Sequence, residues 1–184
     1  MGKVRIGPEM IKTTYLKINQ SDYLLRRAAL TTKLLIIPLR NAQLCAALYA
    51  EVGEPHYWNI YRVCWNQHAW EAYLGQPNIR ISQIQLGSTT VGYLELKRTD
   101  DAIEIVNFGL LPQFQGRGMG RAALESVLAY GFSFGVTEIW LHTCSLDHPA
   151  ALSNYYARGF QLVKEVGDNF LPLDPVPGSV QLAA

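Results

Sequence analysis

The sequence predicts an α/β domain: one mixed, mostly antiparallel twisted sheet with helices on both faces. Three stretches carry that expectation. From Ile79 to Phe108, short apolar runs are separated only by turn residues, the pattern of an antiparallel meander. Between Ala102 and Arg121 the chain passes from a strand into a loop holding Gly116, Gly118 and Gly120, and apolar residues recur at helical spacing beyond it. Ile139 to Leu141 is continuously apolar, as a buried parallel strand is, so strand, helix and strand form one right-handed crossover.

Length and composition bound the rest. A chain of 184 residues reads as a single domain over 1–184, with an N-terminal extension over 1–32, a core over 33–166 and an irregular tail over 167–184 that holds Pro172, Pro175 and Pro177. Sixteen basic and fifteen acidic side chains leave a net charge of +1, which gives no general attraction to nucleic acid. No run of about 18 apolar residues is present, and the first ten residues lack the apolar centre of a signal peptide, so a cytoplasmic protein with no membrane partner is expected. Cys45, Cys64 and Cys144 are odd in number and lack metal-ligand spacing, which predicts three reduced thiols and no metal.

In chain order, Thr13 to Ile18 is β-prone and reads as an outlying strand, and Lys33 to Leu39 as a stronger one ended by Pro38. Asn41 is placed to cap a helix whose apolar face is Leu44, Cys45, Leu48, Tyr49 and Val52, stopped by Gly53. Aromatic residues crowd the stretch from Pro55 to Trp70. Asn66 then caps a short helix carrying Ala69, Trp70, Tyr73 and Leu74, which Gly75 and Pro77 end. In the strand from Ile79 to Leu86 the apolar parity changes midway, predicting a bulge or burial on both faces. Strands over 90–98 and 102–108 follow, joined around Thr99, Asp100 and Asp101. A turn at Thr99 and Asp100 would set Glu95 opposite Glu104, where two like charges raise one carboxyl pKa; a shifted register leaves two separate exposed acids. A helix from Arg121 to Phe132, a short one over 149–157 and a strand over 160–166 complete the order.

The glycine loop is the first candidate site. Free backbone N–H groups at a helix start attract phosphate oxygens, and Arg117 and Arg121 bracket this one. Gly118, Gly120 and Ala123 also spell a dinucleotide fingerprint, but here the preceding strand belongs to a hairpin, and the next strand ends in His142 and Thr143 rather than an acid.

Two segments, L-P-Q-F-Q-G-R-G-M-G around Gln115, Gly118 and Gly120, and D-H-P-A-A-L-S-N-Y-Y-A-R-G-F from Asp147, resemble in order and spacing the signatures of the GNAT superfamily of N-acetyltransferases. The resemblance spans about residues 33–166 and implies the GNAT fold and transfer of an acetyl or other acyl group from acetyl-CoA (acyl-CoA) to a primary amine. It implies that backbone from Gln115 through Gly116, Arg117, Gly118 and Met119 to Gly120, with Arg121, holds the pyrophosphate, and that Leu110 and Leu111 pair with the pantetheine where the sheet splays, Gly109 being suited to a bulge there. His148 stands where the family often has an asparagine that contacts coenzyme A.

Transfer to an amine requires a base and a proton donor. By resemblance the base is Glu104 and the donor Tyr155, with neighbouring Tyr156 as its rival; the turn register would make Glu95 the tuning partner of Glu104 and an acceptor contact, and His142 at a strand end is the alternative base. His56, Tyr57 and Trp58 open the loop that walls the acceptor pocket in this family, and the aromatic loop favours a small molecule with an apolar part, or else a peptide amine. The sequence leaves a homodimer open. A module that binds acyl-CoA without turnover is the competing expectation.

Overall fold

The computed structural model describes residues 11–26, 34–56, 58, 62 and 64–168. Expectations for the first ten residues, for Lys33, Tyr57 and Tyr61, and for the proline-containing tail lie outside these.

A seven-stranded sheet has the order β2-β3-β4-β5-β6-β1-β7. Its strands are β1 (Ile11–Asn19), β2 (Leu35–Pro38), β3 (Ile79–Leu86), β4 (Thr89–Thr99), β5 (Ala102–Leu110), β6 (Glu138–Cys144) and β7 (Gln161–Asp168). Only β5 and β6 run parallel; the other neighbours are antiparallel. The strand expected to be outlying is interior: β1 fills the slot between β6 and β7, and Leu16 and Ile18 are at most 1% exposed. Its short alternating pattern looks marginal alone because its stability comes from pairing on both edges.

The α-helices lying wholly within the described residues are α1 (Gln20–Arg26), α2 (Ala42–Gly53), α3 (Gln67–Leu74), α4 (Met119–Phe132) and α5 (Ala151–Ala157). Asn41 and Asn66 cap α2 and α3 as expected, their side-chain oxygens accepting from the N–H groups of Leu44 at 2.9 Å and Ala69 at 3.0 Å. α2 and α3 cover one face of β3 and β4 through Tyr49, Trp70, Ile81 and Tyr93. On the other face α4 contributes Leu124, Val127 and Leu128, joined by Tyr23 of α1 and Tyr155 of α5. Arg158, just after α5, meets Glu125 of α4 at 3.3 Å with both side chains mostly buried, which ties the two helices beside the glycine loop together.

Two register features build the site. The β4–β5 turn lies at Asp100 and Asp101, so Lys97 rather than Glu95 pairs with Glu104. The ladder then slips between Glu95 and Leu96, leaving Val106 as the extra residue and Asn107 opposite Glu95. The expected carboxylate pair is therefore absent, and the bulge sits at Val106 instead of Gly109. Pairing of β5 with β6 stops at Ile105 and Leu141, and beyond that point the two strands part. A second irregularity, between Ile84 and Gln85, agrees with the parity change read in β3.

Candidate active site

The parting of β5 and β6 opens a cavity of about 1230 Å³ that runs through the sheet. One stretch of its wall is the loop and first turn of α4, with Gly116, Gly118, Gly120 and Arg121, together with Tyr155 of α5. The wall also holds Trp58, Arg62, Asn107, Tyr15 and His142.

The glycine-loop stretch suits a polyanion. Gly118 caps α4 at φ 75° and no side chain caps the helix, so its first N–H groups have no side-chain acceptor. Gly116 also has positive φ, and a Cβ built at either glycine meets nothing within 4 Å, leaving open space above bare backbone. Gln115 fixes the loop start by donating from Nε2 to the Leu110 carbonyl at 2.9 Å, and Asn154 of α5 donates to the Gly120 carbonyl at 3.1 Å. Arg117 is exposed, and the Met119 side chain packs against the core, leaving its backbone to face the loop.

Alternation along β5 corrects the expected pairing edge. The Leu111 N–H bonds the Val91 carbonyl at 2.9 Å and its side chain is buried under α2, so Leu111 belongs to the ladder with β4. Phe108 and Leu110 instead turn their backbone groups toward the gap. At Gly109 a Cβ would come within 2.6 Å of Val52 and 3.4 Å of Trp58, so glycine here lets the α2 side pack onto the strand.

Of the expected catalytic groups, Tyr155 lines the cavity while Tyr156 is 43% exposed. Burial, and then the charge of Asp147, raise the Tyr155 hydroxyl above its usual range, so it stays protonated at working pH. His142 lines the cavity. Glu104 is set back behind it, its Oε1 3.8 Å from His142 Nδ1, with side chains 13% and 45% exposed respectively. Burial raises the Glu104 pKa, opposed by the nearby His142 and Lys97 and reinforced weakly by Glu95.

Glu95 is fully buried, which takes it out of acceptor contact. Its carboxylate receives both Arg62 guanidinium nitrogens at 2.7 and 2.8 Å, the Tyr93 hydroxyl at 3.0 Å, Asn107 Nδ2 at 3.2 Å and the Tyr73 hydroxyl. Arg62 lies between the rings of Tyr49, Trp65, Trp70 and Tyr73, with centroids 4.6 to 5.3 Å from its Cζ. Much of the aromatic crowding in the sequence thus encloses one buried ion pair beside the cavity. Sequence reading missed Arg62, and the only signal was a lone arginine among aromatics. The same burial, with Glu95 nearby, pushes the Cys45 thiol up to about 11, an inert core group.

His148 is exposed at the rim and uses Nδ1 to accept from the Ala150 N–H at 3.1 Å, holding the turn into α5. Its ring meets that of His56 at 5.8 Å, bridging the end of α2 to the loop after β6.

A sheet that parts beside a glycine loop with no side-chain cap, with a buried tyrosine and an imidazole on the cavity wall, is the arrangement expected of an acyl-CoA-dependent transferase. The family model described as Acetyltransferase (GNAT) family matches residues 47–160, and the chain belongs to that family. It is similar to the N-alpha-acetyltransferase RimI of Mycobacterium tuberculosis, 32% identical over 129 residues that cover 67% of this chain and 74% of that protein. Among solved structures, an acetyltransferase from Thermus thermophilus superposes with a TM-score of 0.55 at 25% identity, covering 72% of this chain and 89% of that one. PaiA N-acetyltransferase from Thermoplasma acidophilum, in complex with coenzyme A, gives 0.56 at 19% identity, over 71% and 91% of the two chains. A functionally unknown conserved protein from Staphylococcus epidermidis gives 0.61 at 18% identity over 85% of this chain, which spans 60% of that longer one. The chain is an acetyl-CoA-dependent N-acetyltransferase. No described helix is long and apolar enough to cross a membrane.

Proposed function

We propose that the chain acetylates the free α-amine of a polypeptide, with His142 as base and Tyr155 as proton donor. The observation that carries this reading is the cavity wall itself, which presents His142 and Tyr155 along one space while Glu104 stands behind the imidazole. Acetyl-CoA supplies the thioester carbonyl. Backbone N–H groups over 116–120, with Arg121, would hold its pyrophosphate, and the edge at Phe108 and Leu110 would align the arm leading to the sulfur.

Matching of pKa values favours the α-amine. At pH 7 deprotonating an α-amine of pKa 7.7–8.0 costs about 1 kcal/mol, against about 4.6 kcal/mol for a lysine side chain. A base in the site therefore has far less work to do on the first than on the second. His142 takes the amine proton, and Glu104 favours the resulting imidazolium. The Tyr155 hydroxyl offers its proton to the departing thiolate. The similarity to an enzyme named N-alpha-acetyltransferase supports the same acceptor class. No observation favours acyl-CoA binding without turnover.

The test is thiol release from acetyl-CoA across peptides with free amino termini, terminally blocked peptides containing lysine, and small polyamines. Free termini should be the acceptors, and His142→Gln should lower kcat about 100-fold near neutral pH. Activity confined to lysine side chains or polyamines would overturn the acceptor class, and unchanged turnover by His142→Gln would move the base elsewhere.

A further inference from the structure

His142 does not stand alone on its sheet face. Tyr15 of β1 is its direct cross-strand partner, and Lys164 of β7 is the direct partner of Tyr15 on the far side. The Tyr15 and His142 rings lie 5.6 Å apart with planes inclined at 34°, and Lys164 Nζ sits 4.6 Å from the Tyr15 ring centroid. Glu104 completes the row on the opposite side of the imidazole, at 3.8 Å from Nδ1. Four strands thus contribute one group each to a line running Lys164, Tyr15, His142, Glu104.

We propose that Tyr15 is a positioning residue for the acetyl transfer: its ring, held from behind by Lys164, keeps the His142 imidazole aimed into the gap between β5 and β6. The inference rests on His142 being the base. It concerns residues outside the stretch that matches the family model, since Tyr15 and Lys164 lie before and after residues 47–160.

The physical argument is one of lost freedom. A histidine side chain that is 45% exposed has little packing of its own to choose among its staggered rotamers. Glu104 is too far from Nδ1 at 3.8 Å for a direct hydrogen bond, so it attracts the ring without fixing its plane. A flat partner with an extended contact area fixes a plane where a carboxylate cannot. Tyr15 can do this because β1 occupies the interior of the sheet, with its backbone held on both edges. The ammonium of Lys164 over the outer ring face in turn opposes rotation of the tyrosine. Tyr15 and His142 both line the cavity, so the contact lies on its wall.

The test uses the free protein first. The Cε1–H resonance of His142, assigned by its loss in His142→Gln, should carry an upfield ring-current displacement that Tyr15→Leu removes and Tyr15→Phe retains. With acetyl-CoA and an alanine-headed hexapeptide as the probe amine, Tyr15→Leu should lower kcat about 3- to 30-fold while KM stays within about twofold, and Tyr15→Phe should restore the parent rate. Lys164→Met, at an exposed site, should move the same resonance in the same direction by less; this variant decides the matter should Tyr15→Leu fold poorly. An unmoved His142 resonance in both Tyr15→Leu and Lys164→Met, or a Tyr15→Phe enzyme as slow as Tyr15→Leu, overturns the proposal. Should His142→Gln keep normal turnover while the ring-current result holds, the base assignment has failed and Tyr15 orients a ring that takes no part in transfer.

Discussion

A carboxylate's role here depends on two residues of strand register. Counting a turn at Thr99 and Asp100 brings Glu95 opposite Glu104, whereas the real turn and the bulge at Val106 give Glu104 to Lys97 and Glu95 to Asn107. Sequence cannot resolve that difference, because Thr99, Asp100 and Asp101 are all acceptable turn residues and the bulge carries no glycine mark. By contrast the place of Tyr155 on the cavity wall and the turn at the glycines were legible, since a fixed spacing to a Gly-Phe turn and a positive φ each leave a trace in residue type. Burial raises the folded pKa of Glu104 above the unfolded value of 4.5, so its contribution to stability is complete below that value and is lost as pH rises through the folded pKa. Glu104→Gln should therefore gain in melting temperature relative to the parent between pH 4 and pH 7. Thermal melts of both proteins at the two pH values read this, and a constant difference would show that the carboxyl does not titrate abnormally.

The elements were mostly legible, and for identifiable reasons. α2, α3 and α4 combine apolar spacing with a cap or a glycine at the boundary, so they appear where expected, α4 starting two residues early at Met119 because its cap is a left-handed glycine rather than a side chain. The proposed cofactor loop depends on that choice. Gly118→Val places a branched residue at φ 75°, which costs on the order of 1–2 kcal/mol, and sends a side chain into the open space above the loop. The folded variant should bind coenzyme A at least 10-fold more weakly by calorimetry, with a loss of stability no larger than the backbone strain. Unchanged affinity would remove the loop from the site.

At the scale of the whole molecule the decisive element is the one that looked peripheral. β1 lies between β6 and β7, bonding the first from Thr13 to Asn19 and the second from Ile11 to Lys17, and its Tyr15 lines the cavity. Nothing within Ile11–Asn19 announces an interior position, because the pairing depends on strands more than 100 residues away. A chain starting at residue 20 should therefore lose cooperative unfolding, and β7, left without a neighbour, should become the first site of limited proteolysis; a truncated protein melting as sharply as the parent would contradict this. The same pairing imposes an order in time during synthesis. β1 leaves the ribosome before either partner exists, and at 5–20 residues per second it waits about 6–30 s for β6 and β7 to be made. Throughout that interval Leu16 and Ile18, later sealed in the core, belong to a strand with two open edges, so each newborn chain passes through a period in which it can be captured by a holdase or pair with a strand of another nascent chain.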